Sequence, residues 1–364
     1  MFSVQEFSYH SYNSYTLLTK KKTMKKITIE KKTLHFKQPA GTSRGIYTER
    51  TIWLINLEED RRRGTGECAP LPDLSCDALP HDEYEAKLRS FCDNYEQTGK
   101  IDYNAMHRYP SMLFGLETAV LSLQHGNALF DTPFSRGEEG ITINGLVWMG
   151  TFDEMMQRIE EKLNAGFHCV KLKVGAIDFD SELEMVRHIR SRFSFHDVEL
   201  RLDANGGFKP DEALYRLELL SQYAIHSIEQ PIKPHNWGEM AELCRESPLP
   251  IALDEELIGV NTPDAKRQLL NIIKPRYIVI KPSLHGGMQG TREWVSTARD
   301  MNIGSWITSA LESNVGLNAV AQLAADIYGP DIRMPQGLGT GCLFTDNIPM
   351  PIEIRGEKIF VREE

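Results

Sequence analysis

The sequence predicts an α/β protein, a modified (β/α) barrel of the TIM type with a smaller α+β unit ahead of it. Three observations carry that prediction. From residue 141 onward, short apolar runs alternate with amphipathic stretches in a repeating βα rhythm. Lys173, Asp203, Glu229, Asp254 and Lys281 close five successive apolar runs at intervals of 30, 26, 25 and 27 residues, one βα unit each. Residues 24–130 read differently, as strands followed by helices, and 364 residues exceed one ordinary domain of ~100–150.

Residues 1–23 are rich in Ser, Tyr, Thr and Lys and end in Lys20-Lys21-Lys22, without the apolar stretch of a signal peptide. They are expected to be a disordered extension, with the fold beginning at Met24. Residues 24–70 read as three strands. The second, Thr48–Leu57, alternates polar and apolar positions, and the charged, glycine-containing stretch Glu58–Gly66 turns the chain. Helical patterns over Asp82–Tyr95 and Ser111–Gln124 complete an α+β unit at 24–130.

Strands are then expected at Ile141–Val147, Cys169–Val174, Val198–Ala204, Ser227–Gln230, Ile251–Asp254, Tyr277–Lys281, Ser305–Ser309 and Ile332–Pro335. Amphipathic helices such as Phe152–Asn164, Phe179–Arg192 and Ala213–Gln222 separate them. Eight strands spaced by helices match a parallel barrel over 131–345. An open doubly wound sheet is the competing architecture, but no Gly-rich phosphate turn follows the first strand. Gly337-Leu-Gly-Thr-Gly341 comes last in the chain and reads as a mobile loop. Residues 346–364 are expected to return to the N-terminal unit, with Pro351–Arg362 resembling a hairpin.

Composition narrows the function. Acidic residues outnumber basic ones, 51 to 41, for a net charge of -10. That balance argues against nucleic acid as a partner, because no basic surplus displaces counterions. No apolar run approaches the ~20 residues that cross a bilayer, which argues against a membrane partner. Six cysteines without metal-type spacing read as reduced thiols of a cytoplasmic protein.

Equivalent positions on successive barrel strands form a ring at the C-terminal mouth, where catalytic groups of such barrels sit. Five charges buried there must pair or bind metal. The carboxylates of Asp203, Glu229 and Asp254 make a hard oxygen site suited to Mg²⁺, with Mn²⁺ the alternative. Glu255 and Glu256 compete for the third position; Asp254 is favoured because it follows the apolar strand directly. Lys171 and Lys173 are two apart on a strand and share a face. A lysine near a second ammonium and a metal has a lowered pKa and acts as a base near neutral pH. Lys281 lies across the ring. A divalent ion between two lysines suits removal of a proton α to a carboxylate, since the metal stabilises the charge that builds on the carboxylate oxygens.

On the Lys-x-Lys at 171–173 followed by Asp203, Glu229, Asp254 and Lys281, the chain after residue 24 resembles the enolase superfamily, in its muconate-lactonizing subgroup. Leu200-Arg-Leu-Asp-Ala-Asn205, Ser309-Ala-Leu-Glu-Ser313 and Gly337-Leu-Gly-Thr-Gly341 make it most similar, within that subgroup, to the o-succinylbenzoate synthase family of menaquinone biosynthesis. The resemblance implies a capping domain over a modified barrel, a small carboxylate substrate, and carbon–oxygen lyase chemistry. The reaction would be dehydration of 2-succinyl-6-hydroxy-2,4-cyclohexadiene-1-carboxylate to o-succinylbenzoate. It further implies that Lys173 removes the α-proton and then helps hydroxide leave as water. Lys281 would stabilise the enolate through its charge over the ring, and Lys171 would tune Lys173. Arg201, two residues before Asp203, would orient substrate, and Ser309 would seat the succinyl carboxylate, through backbone N–H groups. Two loops, Gly41–Gly45 and Cys68–Ser75, would close over the mouth.

Other readings share the fold. A dipeptide epimerase would use Lys173 and Lys281 as two bases, but the Asp-x-Asp common after the last strand of that group is missing from 334–341. An N-succinylamino acid racemase stays open, while a cycloisomerase has no positive support. A non-catalytic barrel binding metal or an organic acid would tolerate loss of a lysine, and here every position is filled. His285 reads as a loop or helix-start residue. His168 and His226 precede strands, at the end of the barrel away from chemistry.

Overall fold

The computed structural model describes residues 25–42, 45–330 and 332–362, so the extension read at 1–23 lies outside the described residues. Strands β1 (Lys25–Thr42), β2 (Gly45–Glu59) and β3 (Arg62–Cys68) form an antiparallel sheet in that order. β2 and β3 reverse at Asp60, which takes a left-handed φ of 56°. Most of the expected turn at 58–66 is therefore strand, because pairing continues to Glu59 opposite Arg62.

Helices α1 (His81–Thr98), α2 (Tyr103–Met106) and α3 (Pro110–His125) cover one face of this sheet. Trp53, Ile55 and Leu57 of β2 meet Tyr84, Leu88 and Leu116 of the helices in one core. β3 lies flush on α3: a Cβ on Gly66 would fall 1.9 Å from the Gly115 carbonyl oxygen. Glycine is required there by close backbone approach.

The barrel follows in chain order. β4 (Ile141–Thr142) and β5 (Gly145–Val147) lead into α4 (Phe152–Asn164), whose start is fixed by a Thr151–Glu154 capping box. Next come β6 (Cys169–Lys173), α5 (Phe179–Arg192), β7 (Glu199–Asp203), α6 (Pro210–Ser221), β8 (Ser227–Glu229) and α7 (Trp237–Glu246). The series ends with β9 (Ile251–Leu253), α8 (Pro263–Ile273), β10 (Tyr277–Ile280), α9 (Gly287–Asp300), β11 (Gly304–Ile307) and α10 (Asn314–Tyr328). β5 to β11 form one parallel, seven-stranded sheet in sequence order. Its strands are almost continuously buried, as strands covered by helices must be.

Two expected strands change character. Ile141–Val147 splits, since β4 leaves the barrel to pair with a C-terminal hairpin, β12 (Ile352–Arg355) and β13 (Lys358–Val361). The eighth strand expected at 332–335 is replaced by single bridges one residue later, Gln336 to Ile143 and Gly337 to Thr308. Pro335 has no N–H to give a ladder. The ring closes instead through Gln336 N–H to Thr142 (2.9 Å) and Gly337 N–H to Ile307 (2.9 Å).

The hairpin pairs with β4, while Asp346 of the same C-terminal segment returns to the N-terminal unit, accepting the His35 N–H at 2.8 Å. The preceding residues add to that return. Lys37 N–H donates to the Leu343 carbonyl (2.8 Å), and Thr345 N–H to that of His35 (2.9 Å). Among the described residues no helix is long and apolar enough to cross a membrane.

Candidate active site

Parallel register sets the ring. Lys173 pairs with Asp203, and Asp203 with Glu229, so three functional side chains share one level. Glu229 pairs with Ala252, which places Asp254 just beyond the end of β9. One carboxylate oxygen each from Asp203, Glu229 and Asp254 lies within 4.8 Å of the others, and all three residues are buried. Glu255 instead accepts from the Asn205 amide (2.9 Å). Glu256 turns away to accept from the Gln230 amide (2.9 Å) and the His235 N–H (2.7 Å).

The triad fits a divalent metal on the structure's own terms. Glu229 Oε1 and Asp254 Oδ1 are buried without a hydrogen-bond partner among the described residues. Such oxygens are costly unless a cation completes them. An all-oxygen donor set is what a hard cation takes.

The lysines interleave with the acids. Lys171 Nζ lies 2.8 Å from Asp203 and 2.5 Å from Glu229. Lys173 Nζ lies 2.9 Å from Asp203 and 2.6 Å from the Asn205 side-chain oxygen. Lys281 Nζ reaches Asp254 at 2.5 Å. Burial opposes the charge on all three, but the neighbours decide the outcome. For Lys171, Asp203 and Glu229 outweigh burial and raise its pKa. For Lys281, Asp254 and Glu255 do the same. Lys173 is the exception: burial, aided by the Lys171 ammonium, outweighs Asp203 and lowers its pKa. Burial also raises Glu229 to about 7, with Asp203 and Asp254 adding to the effect against Lys171. Asp203 is held well below the usual carboxylate range, because Lys171 and Lys173 overcome its burial.

Lys171, Lys173, Asp203 and Lys281 face a cleft of about 700 Å³, open solvent at its mouth included. Leu146 and Trp148 supply apolar wall from the barrel, while Tyr47, Leu71 and Leu74 supply it from the N-terminal unit. The two leucines belong to the expected lid loop Cys68–Ser75. The other, Gly41–Gly45, lies partly outside the described residues.

Of the two expected substrate contacts, Ser309 lines the cleft and Arg201 does not. Arg201 faces the lumen as expected but is fully buried away from the cleft. Its guanidinium lies 4.4 Å from the Trp306 ring centroid and bonds Glu199 (2.7 Å) and the Pro335 carbonyl (2.9 Å). Side-chain alternation fixed its face but not its depth: two residues before Asp203 is ~6.6 Å lower along the strand. Ser309 does line the cleft, with its hydroxyl 2.6 Å from that of Thr340. Its own N–H is already spent on the Gly337 carbonyl (3.0 Å), so the hydroxyl is the group it presents.

Three supporting residues escaped the sequence reading. Asn205 bridges Lys173 and Glu255; standing two residues after Asp203, it carried a usable signal in strand alternation. Gln230 accepts the Asp254 N–H (3.3 Å) and the Glu256 N–H (3.1 Å), joining the exits of β8 and β9. Its left-handed φ of 39° turns it off the strand pattern, so no periodicity marks it. Glu182, on α5, accepts the N–H groups of Gly175 (2.5 Å) and Ala176 (3.1 Å) and fixes the loop after Lys173. His285 accepts the Lys281 N–H at 2.9 Å, while His168 and His226 bond Glu357 and Ser227 beneath the barrel.

A barrel with this acid triad between lysines, joined to an α+β cap, defines a member of the enolase superfamily. Residues 154–355 match the family model described as enolase C-terminal domain-like. Residues 28–123 match the MenC N-terminal domain, and the chain belongs to the o-succinylbenzoate synthase (MenC) family. A curated o-succinylbenzoate synthase from Desulfotalea psychrophila is 44% identical over 356 aligned positions, covering 89% of this chain and 95% of that one. The crystal structure of MenC from the same organism superposes with a TM-score of 0.78 at 40% identity, over 93% of this chain and all (100%) of that one. An L-Ala-D/L-Glu epimerase from Bacillus subtilis gives a TM-score of 0.80 over 92% of this chain and 95% of its own. At 20% identity that likeness is one of fold alone.

Proposed function

We propose that this protein dehydrates 2-succinyl-6-hydroxy-2,4-cyclohexadiene-1-carboxylate to o-succinylbenzoate and water in menaquinone biosynthesis. The observation that carries the reading is the placement of Lys173 and Lys281 on the same cleft as Asp203, beside the acid triad. Family membership supports the same substrate, since the relative matched over 95% of its length is a synthase.

In this reading Lys173 is the base: its pKa is lowered, the direction a base needs, and as the neutral amine it takes the proton α to the ring carboxylate. The electron pair left behind forms the new ring double bond as the C–O bond to the 6-hydroxyl breaks. The Lys173 ammonium returns its proton to the departing hydroxide, and water leaves. Lys281, held charged by Asp254, balances the negative charge that builds on the substrate. Lys171 stays protonated between Asp203 and Glu229 and disfavours a second charge on Lys173. The Ser309 hydroxyl seats the succinyl carboxylate. Asp203, Glu229 and Asp254 would hold a divalent metal, which we take to be Mg²⁺ and which would supply positive charge to the substrate carboxylate. Free thiols at all six cysteines support a cytoplasmic setting.

The test is direct. Incubation with Mg²⁺ and the cyclohexadiene acid should produce aromatic absorbance, and EDTA should stop it. Proton exchange on N-succinylamino acids with no aromatic product would overturn the assignment in favour of a racemase.

A further inference from the structure

Arg50 sits on β2, 2% exposed and outside the acid triad. Its guanidinium reaches four backbone carbonyls in two loops. Pro70 and Ala69 (2.5 Å) belong to the segment after β3. Leu311 (3.3 Å) and Ala310 (3.5 Å) belong to the segment after β11. The first loop carries Leu71 and Leu74 into the cleft, and the second carries Ser309 and Leu311. Arg50 therefore stands behind both halves of one wall.

Each loop has bonds of its own. Ser75 accepts the Leu71 N–H (2.8 Å) in the cap loop, and in the barrel loop Glu312 accepts from Ala310 N–H (2.6 Å) and from the Ser283 hydroxyl (2.5 Å). Leu311 is nonetheless in the left-handed region at φ 65°, a conformation a leucine keeps only when its surroundings impose it. The carbonyl that follows this strained φ is the one Arg50 Nε holds. A guanidinium presents five donors in a rigid plane and accepts nothing. Carbonyls from two loops satisfy it only while those loops face each other. An ammonium, with three donors on a point charge, cannot span the same set.

We infer that Arg50 is a positioning residue: it locks loop 69–75 of the cap onto loop 309–313 of the barrel and so sets the wall that holds the substrate. The inference takes its substrate from the proposed function and its geometry from the loops alone. The triad and the lysines lie on other strands, so loosening this lock weakens binding and leaves the chemistry in place.

The experiment compares full-length wild type with Arg50→Lys and Arg50→Met, using the cyclohexadiene acid with Mg²⁺, and follows amide hydrogen exchange in parallel. The expected result is a KM raised tenfold or more with kcat within about threefold, the pattern of lost uniform binding. Exchange should quicken at least tenfold in 69–75 and 309–313, and stay unchanged in α5 to α7. Should Arg50→Met fail to fold, Arg50→Lys carries the test, since it keeps charge and stem. Unchanged KM and unchanged loop exchange in Arg50→Lys overturn the inference, as does acceleration spread evenly over the barrel. A wild type that ignores the acid, paired with loop-restricted acceleration in the variant, defeats the proposed function and leaves the lock standing.

Discussion

The Glu117 carboxylate, on α3 of the cap, accepts the backbone N–H of Met288 at 2.6 Å, and so caps α9 of the barrel across the junction. Its other oxygen takes the Gln289 N–H at 3.1 Å. Glu67 of β3 serves α10 in the same way, through the N–H groups of Ser313 (2.8 Å) and Gly316 (2.9 Å). Helix N-termini attract negative charge. Burial nevertheless wins, pushing Glu117 up to about 8 and Glu67 up to about 7 against the pull of those N–H bonds.

Stability should carry the signature of these two protons. A carboxyl whose folded pKa exceeds its ordinary 4.5 keeps its proton in the folded chain after the unfolded chain has lost it. Its contribution is complete below 4.5 and declines by up to ~1.4 kcal/mol per pH unit until the folded pKa is passed. His285 acts in the opposite sense, because burial lowers its pKa and stability then rises with pH up to the unfolded imidazole value of 6.5 and levels off above it. Comparing wild type with Glu117→Gln separates the two. Thermal unfolding from pH 5 to 9 should show wild-type Tm falling relative to the variant between about 5 and 8, then running parallel to it. Parallel curves throughout would mean Glu117 ionises as freely as in water.

Metal dependence has a test besides activity. Glu229→Gln and Asp254→Asn each remove a ligand charge and should weaken Mg²⁺ binding, read by calorimetry, by more than the ~10–100-fold typical of outer partners. Without metal, wild-type Tm should fall relative to that of Glu229→Gln between about pH 5 and 7, because burial, with Asp203 and Asp254, raises the Glu229 carboxyl to about 7 against Lys171. Equal metal affinity in wild type and both variants would remove the triad from the reading.

Much of this arrangement was legible because the barrel repeats. A βα period sends one residue per strand to the same mouth, so Lys173, Asp203, Glu229, Asp254 and Lys281 declared themselves by spacing. What spacing does not encode is depth and long-range choice of partner. Arg201 shares its level with Lys171, yet Lys171 extends upward to Asp203 while Arg201 turns down to Glu199. The C-terminal hairpin pairs with β4, more than 200 residues back along the chain, a choice that no spacing announces. Glu67 and Glu117, which join the two units, are single carboxylates in apolar surroundings and form no pattern along the chain.

Both lysines should show in the kinetics. Lys173→Ala removes the proposed base and should lower kcat by ~10²–10⁴. Lys281→Ala removes a charge that matters only as negative charge builds, so kcat and kcat/KM should fall together. Metal affinity should change by no more than the ~10–100-fold of outer partners in both, since each lysine bonds a carboxylate of the triad and not the ion itself. A Lys173→Ala variant with near-wild-type kcat would assign the proton to another group.

Close packing of the cap gives a stability prediction with its own control. Ala at Gly66 would push a methyl against the Gly115 carbonyl, backbone against backbone, with no side chain able to yield. Gly66→Ala should destabilise by ~1–3 kcal/mol or more in denaturant unfolding. Gly238, in α7, has nothing within 4 Å of an added Cβ. Gly238→Ala should be neutral or stabilising by up to ~1 kcal/mol, through loss of unfolded-chain entropy.

Arg201→Met tests whether the floor of the barrel takes part in binding. The guanidinium is stacked on Trp306 and bonded to Glu199 and Pro335, a full layer beneath the carboxylates that meet the cleft. Methionine fills similar length without a donor, and Glu199 at its side is partly exposed and can turn to water. Folding should therefore survive with a reduced Tm, while KM and kcat for the cyclohexadiene acid stay within about threefold. A rise in KM beyond tenfold at unchanged Tm would mean that substrate reaches a side chain the folded chain keeps beneath Asp203, and the cleft would have to open far deeper than its walls at Leu146 and Trp148 allow.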